Sequence, residues 1–218
     1  MKYLEVLIDR FKGAFSGFLL GNRRMNELIY CSVTKLPRRE AFLHEMRRVN
    51  TFTLDKRLLS KKCIPAIVFF DLNRLKYIND ELGYQVGDKI LENFSEVLKL
   101  FFRRREDRLT RFGGDEFIVG ILDCPGFESV QFIANQVKIR FESILTNHLF
   151  IKILSDEFNI GEEKLNKVLI RSGVSFGIYV LPHAGLFELD HAIRLADQQL
   201  SQAKIRDHEE KEESRINT

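Results

Sequence analysis

Two kinds of apolar spacing divide this chain. From Asp88 to Phe102 the residues Ile90, Leu91, Phe94, Val97, Leu98 and Phe101 recur every three or four positions, which predicts a helix with one buried face. Val130, Ile133, Ala134, Val137, Phe141 and Ile144 repeat that spacing and predict a helix over 128–146. Ile64 to Phe70 is different. It reads Ile-Pro-Ala-Ile-Val-Phe-Phe, a continuous apolar run, β-branched and aromatic, too short for a core helix. It predicts a buried strand that ends at Asp71. Residues 117–122 and 172–181 read as further strands. Leu36-Pro37 marks a turn before a helix over 39–59, and a short helix over 74–81 is stopped by Gly83.

A last helix is predicted over 186–206. Residues 1–30 predict an amphipathic lead-in helix, weakened by Gly13, Gly17 and Gly21. The stretch before Arg111 is basic and helix-like, and 147–168 is charged, helix-prone and irregular. The tail from Asp207 is charged and reads as frayed. The order, βααββαβα in outline, predicts an α/β sandwich with helices flanking a mostly antiparallel central sheet.

Composition narrows the class. A chain of 218 residues with 44% apolar content fits one compact domain with extensions. Nineteen Phe and no Trp make Phe the main aromatic packing residue. A net charge of +3 is too weak to argue for nucleic acid, but it suits anionic nucleotide substrates. Cys31, Cys63 and Cys124 form neither a disulfide framework nor a CxxC metal pattern, which points to a reducing cytoplasm. Asn93-Phe94-Ser95 matches a glycosylation sequon by chance. The apolar stretch 14–20, bracketed by Lys12 and Arg23, is too short to span a bilayer. Gly173-Val174-Ser175-Phe176-Gly177 fits the hydrolase elbow pattern, but that elbow needs a helix next and Ile178–Leu181 reads as strand.

The candidate chemistry lies where strand meets loop. Arg111-Phe112-Gly113-Gly114-Asp115-Glu116-Phe117 places two glycines and two acids at a predicted hairpin, where glycine's tolerance of positive φ suits a tight turn. Asp71 ends the neighbouring strand. Two carboxylates so placed repel each other unless a divalent cation lies between them, and Mg²⁺ takes few protein oxygens plus water and phosphate. The alternative is that Asp71 caps the helix near Arg74 and Asp115 is an exposed turn acid. Lys76 could neutralise phosphate, and Asn79 and Asp88 carry side chains suited to a guanine edge.

Over residues 31–206 these motifs resemble the GGDEF family, the diguanylate cyclases. The resemblance rests on Phe70-Asp71-Leu72-Asn73, Lys76, Ile78-Asn79-Asp80, Gly83, Gly87-Asp88 and the hairpin 111–117. It extends to Ser175-Phe176-Gly177, Ala196-Asp197, Ala203-Lys204 and, upstream, Thr34–Arg39. The resemblance implies the palm-like nucleotidyl cyclase fold and condensation of two GTP into cyclic di-GMP and pyrophosphate. It implies two Mg²⁺ ions, with Mn²⁺ as an alternative, held by Asp71, the Leu72 carbonyl and Asp115. Asp115 or Glu116 would help deprotonate the attacking 3′-hydroxyl, and Arg111 would stabilise transition-state charge. Lys76 and Lys204 would clamp phosphates, Gly113 and Gly114 would line the substrate, and Asn79 and Asp88 would read guanine.

Such a reaction needs two half-sites facing each other, so the resemblance implies a homodimer, with residues 1–30 expected as dimerisation or control element and 207–218 as a charged tail. Arg104 and Asp107 match the family's RxxD inhibitory site for the product; read alone, Arg103–Arg105 are cations at a helix C-terminus. The chain departs from the family pattern at Cys31, usually Asp, at Lys35, usually Gly, and at Arg38, usually Asn. It also departs at Tyr84, usually His, at Asn73, usually acidic, and after Lys204, where Gly-Arg-Asn is absent. A catalytically silent module that binds cyclic di-GMP or GTP is the rival expectation.

Overall fold

A computed structural model describes residues 29–52, 64–124, 126–181 and 188–216. Most of the lead-in segment, Cys63 and the stretch 53–59 of the expected second helix lie outside the described residues. In chain order the elements are α1 (Arg39–Phe52), β1 (Ile64–Asn73), α2 (Leu75–Leu82), α3 (Tyr84–Phe101), β2 (Asp107–Arg111) and β3 (Glu116–Cys124). Then follow α4 (Phe127–Leu145), α5 (His148–Phe158), α6 (Glu162–Leu169), β4 (Gly173–Val180) and α7 (Leu189–Ile216).

The four strands form one sheet in the order β2-β3-β1-β4, antiparallel throughout. β1 is central and buried on both faces, which is why its sequence is continuously apolar rather than alternating. Its even residues Ala66, Val68, Phe70 and Leu72 join the larger core, with α2, α3, α4 and the helices after it. Its odd residues Ile67 and Phe69 face a smaller core built from Phe42 and Met46 of α1 and Leu189, Ala192, Ile193, Ala196 and Leu200 of α7. Phenylalanine fills the larger core: Phe94 packs edge-on against Phe117 and Phe141, with centroids 4.9 Å apart in each pair, and Phe70 packs on Phe94 at 5.8 Å. Burying Ser95 completely inside α3 agrees with reading the sequon as chance.

Four expectations change. The basic stretch before Arg111 is not helical throughout. α3 ends at Phe101, and Asp107 Oδ2 accepts the Arg104 N–H at 3.0 Å, closing a turn that sends 107–111 back as β2. Residues 147–168 are not irregular but form the helices α5 and α6. Asn147 caps α5 by accepting the Leu149 and Phe150 N–H groups, and Asn159 ends it in the left-handed conformation with φ 54°. Ile151, Leu154, Leu165, Val168 and Leu169 are the few apolar positions that seat this pair on the core. The tail beyond Asp207 continues α7 as far as Ile216 rather than fraying. Lastly, neither Gly113 nor Gly114 takes a positive φ; among the described residues the glycines that do are Gly83 and Gly126.

Candidate active site

The site is built at the end of β1, where Asp71 pairs in register with Glu116 of β3. Leu72 donates its N–H to the Asp115 carbonyl at 3.0 Å. A strand residue's N–H and C=O leave the chain on the same side, so the Leu72 carbonyl oxygen also faces the hairpin. The hairpin 112–115 is closed by the Glu116 carbonyl, which accepts the Phe112 N–H at 2.8 Å and the Gly113 N–H at 3.2 Å. A Cβ on Gly113 would meet the Glu116 carboxylate, a flexible tip that would have to turn aside. A Cβ on Gly114 would meet open space, so that glycine leaves room beside the turn.

The carboxylates are crowded. Burial pushes the Asp71 carboxyl above its ordinary range; Lys204 pulls it back, and the charges of Asp115 and Asp197 push it up further. Burial likewise raises Glu116, with Asp115, Asp71 and Asp197 adding to the effect. The relief is a cation: Lys204 of α7 places Nζ 2.7 Å from Asp71 Oδ1. α7 reaches the sheet this closely because Gly177 of β4 lies against its backbone, where a Cβ would collide with the Ala196 carbonyl and the Leu200 N–H. Asp71 is therefore not spent as a helix cap. The residue before α2 is Arg74, left-handed at φ 64° and with no side-chain cap. Asn73, in place of a second acid, instead bonds Ser175 across the strands at 2.9 and 3.1 Å.

The donor set suits a hard divalent cation. It consists of two carboxylates and one backbone carbonyl, all oxygen, beside an ammonium that already marks the place as one needing positive charge. Among the described residues no group of three or more His, Cys, Asp or Glu side chains could hold a metal unaided. That disfavours a closed protein cage and fits an ion completed by water and substrate oxygens. Asp71, the Leu72 carbonyl and Asp115 are the residues that would hold it.

The other candidates fall on neighbouring surfaces. Lys76 is exposed on the first turn of α2. Asn79 lies three residues on, and its amide packs against Gly87 so tightly that any Cβ on Gly87 would displace it. This contact brings Asn79 beside the exposed Asp88. Arg111 is committed to the hairpin: Nε and Nη2 donate to the Gly114 carbonyl at 3.1 and 2.6 Å, and Nη1 to Cys31 Sγ at 3.2 Å. The geometry gives it the work of holding the turn. Arg104 and Asp107 meet at the turn before β2, away from the carboxylates.

Two participants carry parts that the sequence motifs did not assign to them. Asp197 acts on Asp71 and Glu116 by charge; it precedes Lys204 by seven residues, so helical periodicity alone puts both on one face of α7. Cys31 appears only as a departure from pattern, yet it is the buried partner of Arg111. Burial opposes ionisation of this thiol, but hydrogen bonds from Thr34, Arg111 and Val33 outweigh it and bring its pKa down to about 7.

Residues 29–210 match the family described as diguanylate cyclase, GGDEF domain. A probable diguanylate cyclase of Escherichia coli, DgcE, is 33% identical over 110 residues, half of this chain and 9% of that protein. The signaling protein YkoW of Bacillus subtilis is 30% identical over 179 residues, 81% of this chain and 19% of that protein. The chain thus spans a small fraction of either relative. The solved coiled coil and GGDEF domain of DgcB from Caulobacter crescentus, in complex with c-di-GMP, superposes with TM-score 0.66 at 16% identity. That superposition covers 94% of this chain and 95% of the solved one.

Proposed function

The chain belongs to the GGDEF domain family, and from that premise we propose that it is a diguanylate cyclase acting as a homodimer on two molecules of GTP. The observation that carries the reading is the register of Asp71 with Glu116 and the Leu72–Asp115 bond, which hold the acids and a carbonyl at one corner. Asn79 and Asp88 read guanine; a carboxylate accepts N1–H and N2–H, whereas adenine presents a lone pair at N1. Lys76 and Lys204 neutralise phosphate oxygens, and Lys204, with three N–H donors, can do so while still touching Asp71.

Two bound Mg²⁺ ions, or Mn²⁺, would supply charge stabilisation for the attacking and leaving oxygens. In each half-reaction the 3′-oxygen of one GTP forms a bond to the α-phosphorus of the other, the bond to the β-phosphate bridging oxygen breaks, and pyrophosphate leaves. The 3′-hydroxyl proton passes to Glu116 or Asp115. Glu116 has the raised affinity for a proton that suits an acceptor. Arg111 keeps the hairpin in place while this happens.

Each chain presents one such corner, so two must face each other, with residues 1–30 as the dimerisation or control element and the reaction placed in the cytoplasm. No helix among the described residues is long and apolar enough to cross a membrane. Cyclic di-GMP returns to Arg104 and Asp107 as an inhibitor, a linkage between two sites. The test is incubation of the purified 218-residue chain with GTP and Mg²⁺, beside Asp115→Ala. Cyclic di-GMP from the parent and none from the variant is the expected result. A demonstrably dimeric sample that makes none overturns the reading, and tight product binding without turnover establishes the silent-module alternative.

A further inference from the structure

The two edges of the sheet differ. β2, at one edge, is five residues long and carries the charges of Asp107, Arg108 and Arg111. Its end is covered, since Arg111 donates its N–H to the Pro37 carbonyl at 3.1 Å. β4, at the other edge, runs for eight residues with no charge and no proline. Its register with β1 is unbroken from Gly173 opposite Asn73 to Val180 opposite Ala66, so no bulge turns it aside. Among the described residues β4 pairs with β1 alone. Successive strand residues direct their N–H and C=O groups to alternate sides, so every second residue of β4 presents both groups to an open edge. Short length, charges, prolines and bulges are the usual ways to blunt an edge, and β4 has none of them.

Beside that edge lies a slot of about 230 Å³. That is smaller than sites for small molecules commonly are, roughly 300–1,000 Å³, and what the slot offers is a run of backbone. Residues 175–178 of β4 form its back wall, α4 lies along one side and α7 along the other. α4 packs into the larger core and α7 into the smaller, so the two helices cover opposite faces of the sheet and the slot continues its plane. A further strand would lie roughly 4.8 Å from β4, between them. Lys138 on the α4 side and Arg206 on the α7 side bring a cation to each face, and no carboxylate lines the slot. Glu142, one turn beyond Lys138, sits against Gly173 at the end of β4, outside the slot. Phe127, half exposed, adds an apolar surface on the α4 side.

We propose that β4 is a docking edge for an extended acidic segment of a partner protein, which adds a fifth strand to the sheet between α4 and α7. Main-chain hydrogen bonds to β4 supply the affinity, and carboxylates meeting Lys138 and Arg206 supply the selectivity. Side chains of a bound strand point alternately to the two faces, so acids at neighbouring positions reach both cations. A second copy of this chain is the poorer occupant. Its β4 is uncharged and its slot brings only the same two cations, with no acid to meet them. The edge uses none of the residues assigned to the reaction, so it stands or falls apart from turnover.

The probe is an acetylated peptide as long as β4, with the sequence valine-glutamate-glutamate-valine repeated twice so that both faces carry acids. Calorimetry with the purified chain should show saturable binding. Amide hydrogen exchange, fast at alternate residues of 173–180 in the free chain, should slow there when the peptide is bound. The same peptide N-methylated at its third and sixth residues, one on each edge, should bind roughly ten-fold more weakly, because each edge loses a donor. Arg206→Glu, at an exposed position, should weaken the acidic peptide and strengthen one with lysine in place of glutamate. Binding that N-methylation leaves intact, or that slows no exchange in 173–180, is attraction of charge alone and overturns the inference. A lysine peptide that binds the parent chain as tightly as the glutamate peptide overturns it too, as does no binding of either. Alternate β4 amides already protected in the free chain, and released on dilution, would mean that a second copy covers the edge, which also overturns it.

Discussion

Two acid–base pairs sit at strand ends in this molecule, and they are built to opposite purposes. At the end of β1, Asp71 meets Lys204 at 2.7 Å, but the same corner gathers the charges of Asp115, Glu116 and Asp197. At the start of β2, Asp107 meets the Arg104 backbone, and the turn closes on itself. In the first, negative charge exceeds what the fold can neutralise, and an external cation is called for. In the second, the acid takes one backbone N–H, burial still pushes its carboxyl above the ordinary range, and a cavity with an apolar floor opens beside it. The corner crowds carboxylates around one ammonium, whereas the turn sets a carboxylate beside an apolar floor.

The largest effect that separates them is on turnover. Asp115→Asn should lower the rate of cyclic di-GMP formation by roughly 10²–10⁴-fold, in the range expected when a group moving protons or holding charge in the transition state is lost. Folding should survive, because the side chain lies at an open turn. A variant with near-parental turnover would remove the corner's claim to chemistry.

Next comes the helix that delivers Lys204. Gly177→Ala drives a methyl into the α7 backbone, which cannot yield as a side-chain tip would. A stability loss of about 1–3 kcal/mol or more is expected from such overpacking, together with weakened metal and GTP binding. Urea unfolding and calorimetry would measure the two. Unchanged stability would mean that α7 sits farther from β4 than described.

The corner should also respond to pH through its metal. Asp71 and Glu116 hold protons more tightly in the folded chain than in the unfolded one. Raised acids favour the fold while protonated, and that contribution is lost as pH rises through their folded-state values. Mg²⁺ binding needs Asp71 ionised, so the melting-temperature gain from Mg²⁺ should grow as pH rises through the interval in which Asp71 loses its proton. A gain independent of pH would show that Asp71 does not hold the ion. The Arg104–Asp107 turn offers the contrast: Arg104→Ala should relieve product inhibition while leaving the Mg²⁺ gain intact, and inhibition kinetics on the variant decides it.

The smallest expected effect lies in the turn that supports Arg111. Lys35 stands at φ 57°, a conformation costly for a side chain, with Nζ tied to the Ser32 carbonyl at 2.6 Å. Lys35→Gly should stabilise the chain by up to about 1 kcal/mol by removing that cost. A clear destabilisation in denaturant titration would show that the lysine contact outweighs the strain.

Much of this was legible in residue order because periodicity is local. The continuous run before Asp71 specified a central strand, the spacing through Ile90 and Phe94 specified α3, and the acids and glycines of 111–117 specified a hairpin. That Asp71 meets the hairpin acids was legible too, since adjacent antiparallel strands fix which ends meet, although the residue in register with it is Glu116. What was missed depended on sparse or non-local signals. α5 and α6 place few apolar residues on a charged surface, and β2 reads as basic helix until Asp107 closes the turn before it.

Tertiary structure alone decided three things. Lys204 reaches Asp71 because Gly177 admits the α7 backbone, a contact between segments far apart in sequence. Arg111 is taken by Gly114 and Cys31, because the turn at 31–38 folds back beside β2. A cavity opens where Phe101 and Phe102, at the end of α3, come beside Phe132 and Ile133 of α4. Each depends on where distant segments come to rest, which packing of the whole domain sets and local spacing cannot encode.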